Sequence, residues 1–147
     1  MRYTTEILIN LPRNRVIELF DNSDNLYKWQ PGLRSIRHLE GKPGEVGARS
    51  ELVYEARKGE LVMTETISSR QLPEHMHMSY KARGVYNELE NWFIEKEADQ
   101  TLWRTVNYFR FRGFMTLMIP FMKKAFIHNT MLNMDRFKIF AESQKNN

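Results

Sequence analysis

The first ten residues alternate between the two sides of a strand. One side carries Tyr3, Thr5, Ile7 and Ile9, and the other side is mainly polar. A period of two predicts a half-buried β-strand at about residues 2–10. The strand is expected to bury one face only.

Two short helices are predicted after this strand. Pro12 suits the first turn of a helix because its φ is fixed, and apolar residues then recur at helical spacing as far as about Asp21 and Asn22. Ser23 can cap a second helical turn that runs to about Trp29. The Pro-Gly pair that follows ends it.

Short apolar and polar runs, separated by turn signals such as Lys58-Gly59 and Arg83-Gly84, fill the middle of the chain. Consecutive strands joined by tight turns form an antiparallel meander, because parallel neighbours need long crossovers. Six strands are predicted, at about residues 33–40, 46–57, 60–70, 75–82, 85–97 and 101–111.

A long helix is predicted at the end of the chain. After Gly113 the period becomes helical and stays so to about Ala141, which is long enough to cross a domain. Pro120 interrupts the first third and is expected to kink the helix. One face is apolar apart from two asparagines. It carries Met115, Met118, Met122, Phe126, Asn129, Asn133 and Phe140.

Composition fits a single α+β domain spanning residues 1–147. Hydrophobic residues make up 41% of the chain and charged residues 27%, as in ordinary globular proteins. The sequence contains no internal repeat or low-complexity linker, so nothing in it divides the chain. A chain of this length can bury a substantial core.

Several classes of function are disfavoured. The chain has no cysteine, so disulfides and thiolate sites are excluded, and its four histidines lack a pattern that supplies further metal ligands. We therefore predict no metal and no cofactor. The net charge of +4 comes from basic residues interleaved with acidic ones, which argues against nucleic-acid binding. Without a signal-peptide core or a membrane-length apolar run, the expected location is cytoplasmic.

Three short motifs resemble one known superfamily. Leu11-Pro12 followed by Val16, the segment WQPGLRSI at residues 29–36 and the segment GEVGAR at residues 44–49 are similar to motifs of the SRPBCC superfamily. This superfamily includes START lipid-transfer domains, proteins like the birch pollen allergen, and polyketide cyclases. The resemblance covers nearly the whole chain.

The resemblance implies a helix-grip fold. In that fold a seven-stranded antiparallel sheet wraps around a long C-terminal helix, with two short helices between strands 1 and 2. It also implies an internal cavity, since members bind lipids, sterols, polyketides, quinones and plant hormones. The chain lacks the glycine-rich loop of the plant allergens and the paired iron-ligand histidines of the ring-hydroxylating oxygenases, which disfavours both of those functions.

The predicted cavity wall combines adaptable apolar side chains with a few polar groups. Methionines give flexible walls, and buried amides must find partners or cost about 1 to 3 kcal/mol each. The alternative is that the methionines only fill a core and that the asparagines bond to backbone. The predicted lining residues are Tyr54, Met63, Met78, Tyr80, Trp103, Asn107, Phe109, Met118, Met122, Phe126, Asn129 and Asn133.

Glu65 is the weak candidate for a catalytic residue. If it shares a face with Met63 and Ile67, its carboxylate lies in the cavity and can act as a general base. The pattern of this strand leaves open which face is the inner one.

Three functions are compatible with this sequence. The first is binding or transport of a hydrophobic small molecule, such as a lipid, quinone or polyketide-like compound. The second is a polyketide cyclase/dehydrase-like enzyme, in which Glu65, Tyr54 and Tyr80 are the only titratable candidates that we can name. The third is an accessory module that grips another protein.

An apolar row on the opposite side of the long helix predicts a further contact. Ile127, Met131 and Met134 form this row, and its simplest partner is a second copy of the chain. Together with residues 114–122, the same row is also compatible with transient contact with a membrane.

Overall fold

The computed structural model describes residues 1–144, and it has the predicted α+β helix-grip architecture. Seven strands are present: β1 (Arg2–Ile9), β2 (Leu33–Glu40), β3 (Arg49–Ala56), β4 (Gly59–Gln71), β5 (His75–Ala82), β6 (Val85–Glu95) and β7 (Thr101–Phe111). The helices are α1 (Arg13–Phe20), α2 (Leu26–Trp29), preceded by one 3-10 turn at Ser23–Asn25, and α3 (Met115–Ser143). The two short helices lie between strands 1 and 2, as predicted.

All seven strands form one antiparallel sheet. Its order is β1-β7-β6-β5-β4-β3-β2, so each strand from β2 to β7 pairs with its neighbour in sequence. Tight turns explain this meander. The exception is β1, which pairs with β7 in a register that places Arg2 opposite Tyr108. This pair joins the first strand to the last, while β2 remains at the other edge of the sheet.

Strand β2 has only one neighbour, and its pairing with β3 is interrupted twice. Register shifts lie between Leu33 and Ser35 and between His38 and Glu40. Beyond these shifts, the loop to β3 closes tightly at Gly41, where φ is +79° and an added Cβ would lie 2.9 Å from Cα of Ala48. A side chain at Gly41 would therefore displace the backbone at Ala48, just before β3.

An aromatic cluster anchors the second half of α3 to the sheet. Phe137 is 0% exposed, and its ring lies 5.1 Å from that of Trp29 and 5.2 Å from that of Trp103, measured between centroids. Phe20 of α1 contacts the same ring edge-on at 5.9 Å. These contacts join α1, α2, α3 and the sheet at one end of the domain.

The face of α3 that packs on the sheet agrees only in part with the predicted one, because Phe126 and Phe140 pack internally as predicted while other residues of the second half differ. In its second half the sheet-facing residues are Thr130, Met134, Phe137 and Ala141, at spacings of four and three, and Met134 is only 1% exposed. The prediction that Met134 lies on the outer face is therefore wrong, and Met131 also packs against the core. The helix continues through Pro120.

Within residues 1–144, no helix is both long and apolar enough to cross a membrane.

Candidate functional site

A cavity of about 920 Å³ lies between the concave face of the sheet and the helices. Its apolar wall is formed by side chains from five strands and from α3. They include Leu52, Ile67, Met76, Met78, Leu89, Trp103 and Met134. The volume falls within the range of roughly 300–1,000 Å³ that is usual for small-molecule sites.

A polar cluster stands on β3, β4 and β5 within this wall. The Tyr80 hydroxyl hydrogen-bonds the Glu65 carboxylate, and the Tyr54 hydroxyl donates to Oε1 of Gln30. Burial raises the pKa of Glu65 above its usual range, an effect that the hydrogen bond from Tyr80 partly offsets. Burial also raises the pKa of both tyrosines, and the neighbouring Glu65 adds to this effect. Glu65 therefore holds its proton at higher pH than an exposed carboxyl does.

This burial predicts how stability depends on pH. As pH rises, the unfolded chain loses the Glu65 proton first, so the free energy of unfolding falls between the ordinary carboxyl range and the raised pKa. Replacing Glu65 with Gln is expected to remove this fall. Urea unfolding at pH 4 and at pH 8 would show it as a smaller loss of stability in the variant.

The matched control for this measurement is Glu60→Gln, because Glu60 is on the same strand and exposed. The control should follow the unsubstituted protein at both pH values. A Glu65→Gln variant with an unchanged pH dependence would contradict the burial of a protonated carboxyl.

A pair of amides on β6 and β7 includes one buried donor without an acceptor, on the lining residue Asn107. Nδ2 of Asn87 donates to Oδ1 of Asn107 at 3.1 Å and to the carbonyl of Tyr108 at 3.4 Å. These bonds orient both amides and direct the Asn107 amino group away from its partner. Among the described residues, Nδ2 of Asn107 has no acceptor, although it is buried. An orphaned buried donor of this kind favours a ligand oxygen.

Trp29 provides a second free donor in the cavity wall. Nε1 of Trp29 is also buried without an acceptor within residues 1–144. By contrast, Nε1 of Trp103 donates to Oδ1 of Asn91 at 3.0 Å, so this indole N–H has an acceptor. Two residues of the cavity wall, Trp29 and Asn107, therefore carry buried N–H groups without acceptors, and the same wall carries the Glu65 carboxyl group.

The mouth of the cavity lies between α1, α2 and the loop from β2 to β3. Exposed residues line it, among them Ser23, Asp24 and residues 43–45. Beside them, Arg70 on β4 forms two parallel bonds to Asp21 at the end of α1, at 2.7 Å and 2.6 Å. Because Arg and carboxylate match in planar geometry, this pair fixes α1 to the sheet beside the opening.

An aromatic stack lies beyond the far end of the polar wall. Phe109 continues the inward face of β7 two residues past Asn107, and its ring stacks on Phe126 of α3 at 4.9 Å. Phe111 and Tyr3 extend the stack on either side, at 5.9 Å and 6.1 Å from Phe109. These rings connect the first half of α3 to the sheet.

The structure brings about half of the predicted lining residues together. Tyr54, Met78, Tyr80, Trp103, Asn107 and Asn133 line the cavity, as does Glu65. Phe109 and Phe126 form the aromatic stack instead. Met63 and Met122 are half-buried outside the lining, and Met118 and Asn129 are exposed on α3.

Sequence reasoning missed several residues of the site. Asn91 is fully buried in the cavity wall, and Thr130 of α3 lines the wall and hydrogen-bonds the Tyr3 hydroxyl at 2.8 Å. The signal for Asn91 was present, because Glu88 and Glu90 alternate with it along β6. Nothing in the local pattern marks Gln30 as the partner of Tyr54.

His75 and His77 lie side by side on β5, outside this cavity. Their rings are 4.5 Å apart, and both contact Trp92. Burial lowers the pKa of His77, and the neighbouring His75 adds to this. Within the part of the chain that is described, no three His, Asp or Glu residues are grouped so that they could hold a metal ion.

A curved sheet that grips a long helix, with a cavity between them, defines the helix-grip fold. A family model described as polyketide cyclase/dehydrase and lipid transport matches residues 1–136. The chain therefore belongs to this family. Among curated proteins, no match was found.

Solved structures with the same fold cover almost the whole chain. The Zhui aromatase/cyclase from Streptomyces sp. R1128 has a TM-score of 0.82 at 13% identity, covering 99% of this chain and 96% of the other. Norcoclaurine synthase from Thalictrum flavum, in complex with dopamine and hydroxybenzaldehyde, has a TM-score of 0.74 at 10% identity, covering 100% and 89%. SA2116 from Staphylococcus aureus, a protein of unknown function, has a TM-score of 0.71 at 20% identity, covering 100% and 98%. At these identities the likeness concerns the fold.

Proposed function

We propose that this protein binds and carries a hydrophobic small molecule that bears oxygen acceptors, such as a lipid, a quinone or a polyketide-like compound. The observation that carries the proposal is the 920 Å³ cavity, whose walls combine apolar side chains with polar ones, among them two residues with unpaired buried donors, Nε1 of Trp29 and Nδ2 of Asn107. The matching family, which includes lipid transport, supports the same function.

Two kinds of group in the cavity walls contribute to ligand binding. Methionine and leucine side chains bury the apolar body of the ligand and adapt to its shape. The fixed donors orient it, because a ligand without an acceptor leaves Trp29 and Asn107 unpaired in the complex. A ligand with carbonyl or hydroxyl oxygens is therefore favoured over a plain hydrocarbon.

Native mass spectrometry of the purified protein tests this proposal. We expect a fraction of the protein to carry a noncovalent adduct, and accurate mass of the released molecule should show an oxygen-containing, largely apolar compound. Denatured protein from the same preparation is the control and should show the bare chain mass. A protein without an adduct that also fails to take up lipids, quinones and aromatic polyketides from mixtures would refute the proposal.

A second function, a cyclase/dehydrase-like enzyme, is favoured by one observation. Glu65 combines a raised pKa with a hydrogen bond from Tyr80 inside the cavity, as required of a proton donor or acceptor. Holding a reactive chain near such a group can accelerate its cyclisation without covalent catalysis. The family description includes this activity.

The Glu65→Gln variant separates the two functions in the same mass measurement. A carrier holds the same molecule with or without the carboxyl, so the adduct mass stays the same. An enzyme that uses Glu65 accumulates its unreacted substrate in the variant, and the adduct then differs in mass by the atoms lost in the reaction, such as one water.

A further inference from the structure

The first half of α3 carries an exposed apolar stripe outside the cavity. Phe114, Leu117, Met118 and Phe121 are spaced by three and four residues, so they share one face of the helix. Phe114 is 74% exposed, Leu117 71% and Phe121 79%. A continuous apolar surface of this kind is unusual on a monomeric protein and marks a contact site.

The stripe is not the side of the helix that packs on the sheet, because another side of the same segment already packs inside the protein. Phe126 stacks on Phe109 and Phe111, and Met115, Ile119 and Met122 are half-buried on the inward side. From Leu117 to Met122 the helix is therefore apolar all round. Its outer face has no partner within residues 1–144.

The charges around the stripe are of one sign. Between Asp99 and Asp135 the sequence contains no acidic residue. Arg112 lies just before the stripe, Lys123 and Lys124 lie just after it, and all three are exposed. No ion pair involves these three residues in the described part of the chain, whereas most arginines on the sheet are paired with glutamates.

We propose that the first half of α3 docks on an anionic lipid bilayer. The apolar stripe enters the acyl boundary, and Arg112 before it and Lys124, which lies three residues after Phe121 on the same side of the helix, contact the lipid phosphates. A second copy of the chain fits less well, because a twofold contact through the stripe brings basic residues against basic residues in either orientation. The proposal uses a surface that is separate from the cavity, so it does not depend on the proposed ligand.

Vesicle flotation of the purified chain tests this surface. Vesicles of phosphatidylcholine alone are compared with vesicles of three parts phosphatidylcholine to one part phosphatidylglycerol. We expect the protein to float with the anionic vesicles, to float much less with the neutral ones, and to be released as salt rises. Arg112→Gln with Lys124→Gln should weaken binding to anionic vesicles by roughly tenfold or more.

A matched pair of variants tests whether vesicle binding requires the stripe itself or any exposed apolar residue of the helix. Leu117→Glu with Phe121→Glu should abolish flotation, while Ile139→Glu should leave it unchanged. Ile139 is 64% exposed on the same helix but lies among acidic and basic residues near its end. Unchanged circular dichroism and melting temperature would show that each variant is folded.

Two results would overturn the proposal. One is the absence of flotation with anionic vesicles at low salt. The other is a dimer in sedimentation velocity without lipid that the Leu117→Glu, Phe121→Glu variant converts to a monomer, which would assign the stripe to a second copy of the chain.

Discussion

Replacing Ser50 with tryptophan is expected to lower ligand affinity by roughly 100-fold or more, because an indole at this position occupies the cavity. Ser50 lies in the lining on β3, directly opposite Glu65 in the pairing with β4. The large side chain therefore displaces a ligand from the polar cluster. The adduct seen by native mass spectrometry should disappear, and the fluorescence of the apolar probe N-phenyl-1-naphthylamine should no longer rise on mixing.

The control for this variant is Ser68→Trp. Ser68 is exposed on β4, next to the inward-facing Ile67, and lies outside the lining of the main cavity. The Ser68→Trp variant should keep the adduct and still bind the probe, although it carries the same additional indole. A folded Ser50→Trp protein that keeps its adduct would show that the ligand binds elsewhere.

Replacing Phe137 with alanine is expected to lower the free energy of unfolding by about 3 to 5 kcal/mol. Its ring is fully buried and contacts Phe20, Trp29, Trp103 and Phe140, so its loss leaves a hole where three helices meet the sheet. Urea denaturation followed by tryptophan fluorescence measures the change, since two of the neighbours are tryptophans.

Phe121→Ala is the same substitution on the same helix at an exposed position. We expect it to change the free energy of unfolding by no more than about 0.5 kcal/mol. If both variants lose similar stability, the second half of α3 is not the anchored half, and the aromatic cluster does not hold the helix.

The strand pattern predicted most of the fold and part of the site. In β3, the charged residues Arg49, Glu51 and Glu55 identify the outer face, so the sequence predicts the inward position of Tyr54, which lines the cavity. The same alternation on β7 identified Trp103 and Asn107. Alternate side chains of a strand point to opposite faces, so a row of charged residues on one face identifies the other face as the inward one.

In β4, the strand that carries Glu65, the sequence pattern does not show which face is inward. Threonines at positions 64 and 66 suit either face, and a register shift between Ile67 and Ser69 interrupts the alternation. The inward position of Glu65 follows from pairing, because Ser50 and Tyr80 flank it on the two adjacent strands. A single strand carries no information about such neighbours.

The helix face was the larger error, and its cause is the composition of α3. From Leu117 to Met122 the helix is apolar on every side, so no polar face there indicates the rotation of the helix about its axis. The predicted stripe continues from Phe126 to Asn129 and Asn133, whereas the residues that face the sheet are the half-buried Thr130 and the buried Met134 and Phe137. Aromatic contacts with the sheet determine that rotation.

Hydrogen-bond partners distant in sequence could not be predicted. The free donor of Asn107 depends on an amide twenty residues away, and the pair of Arg70 with Asp21 depends on how α1 meets β4. Sequence identifies residues that are able to bond, while the fold decides which of them are left without an acceptor.

The interrupted pairing of β2 also affects how copies of this protein behave at high concentration. A regular, flat edge strand is a template on which a second chain can add, and such addition leads to aggregates. The two register shifts break the row of backbone donors and acceptors on β2, and Arg34, Arg37 and Glu40 add charge along it. Growth of the sheet from one molecule to the next is therefore disfavoured at the β2 edge.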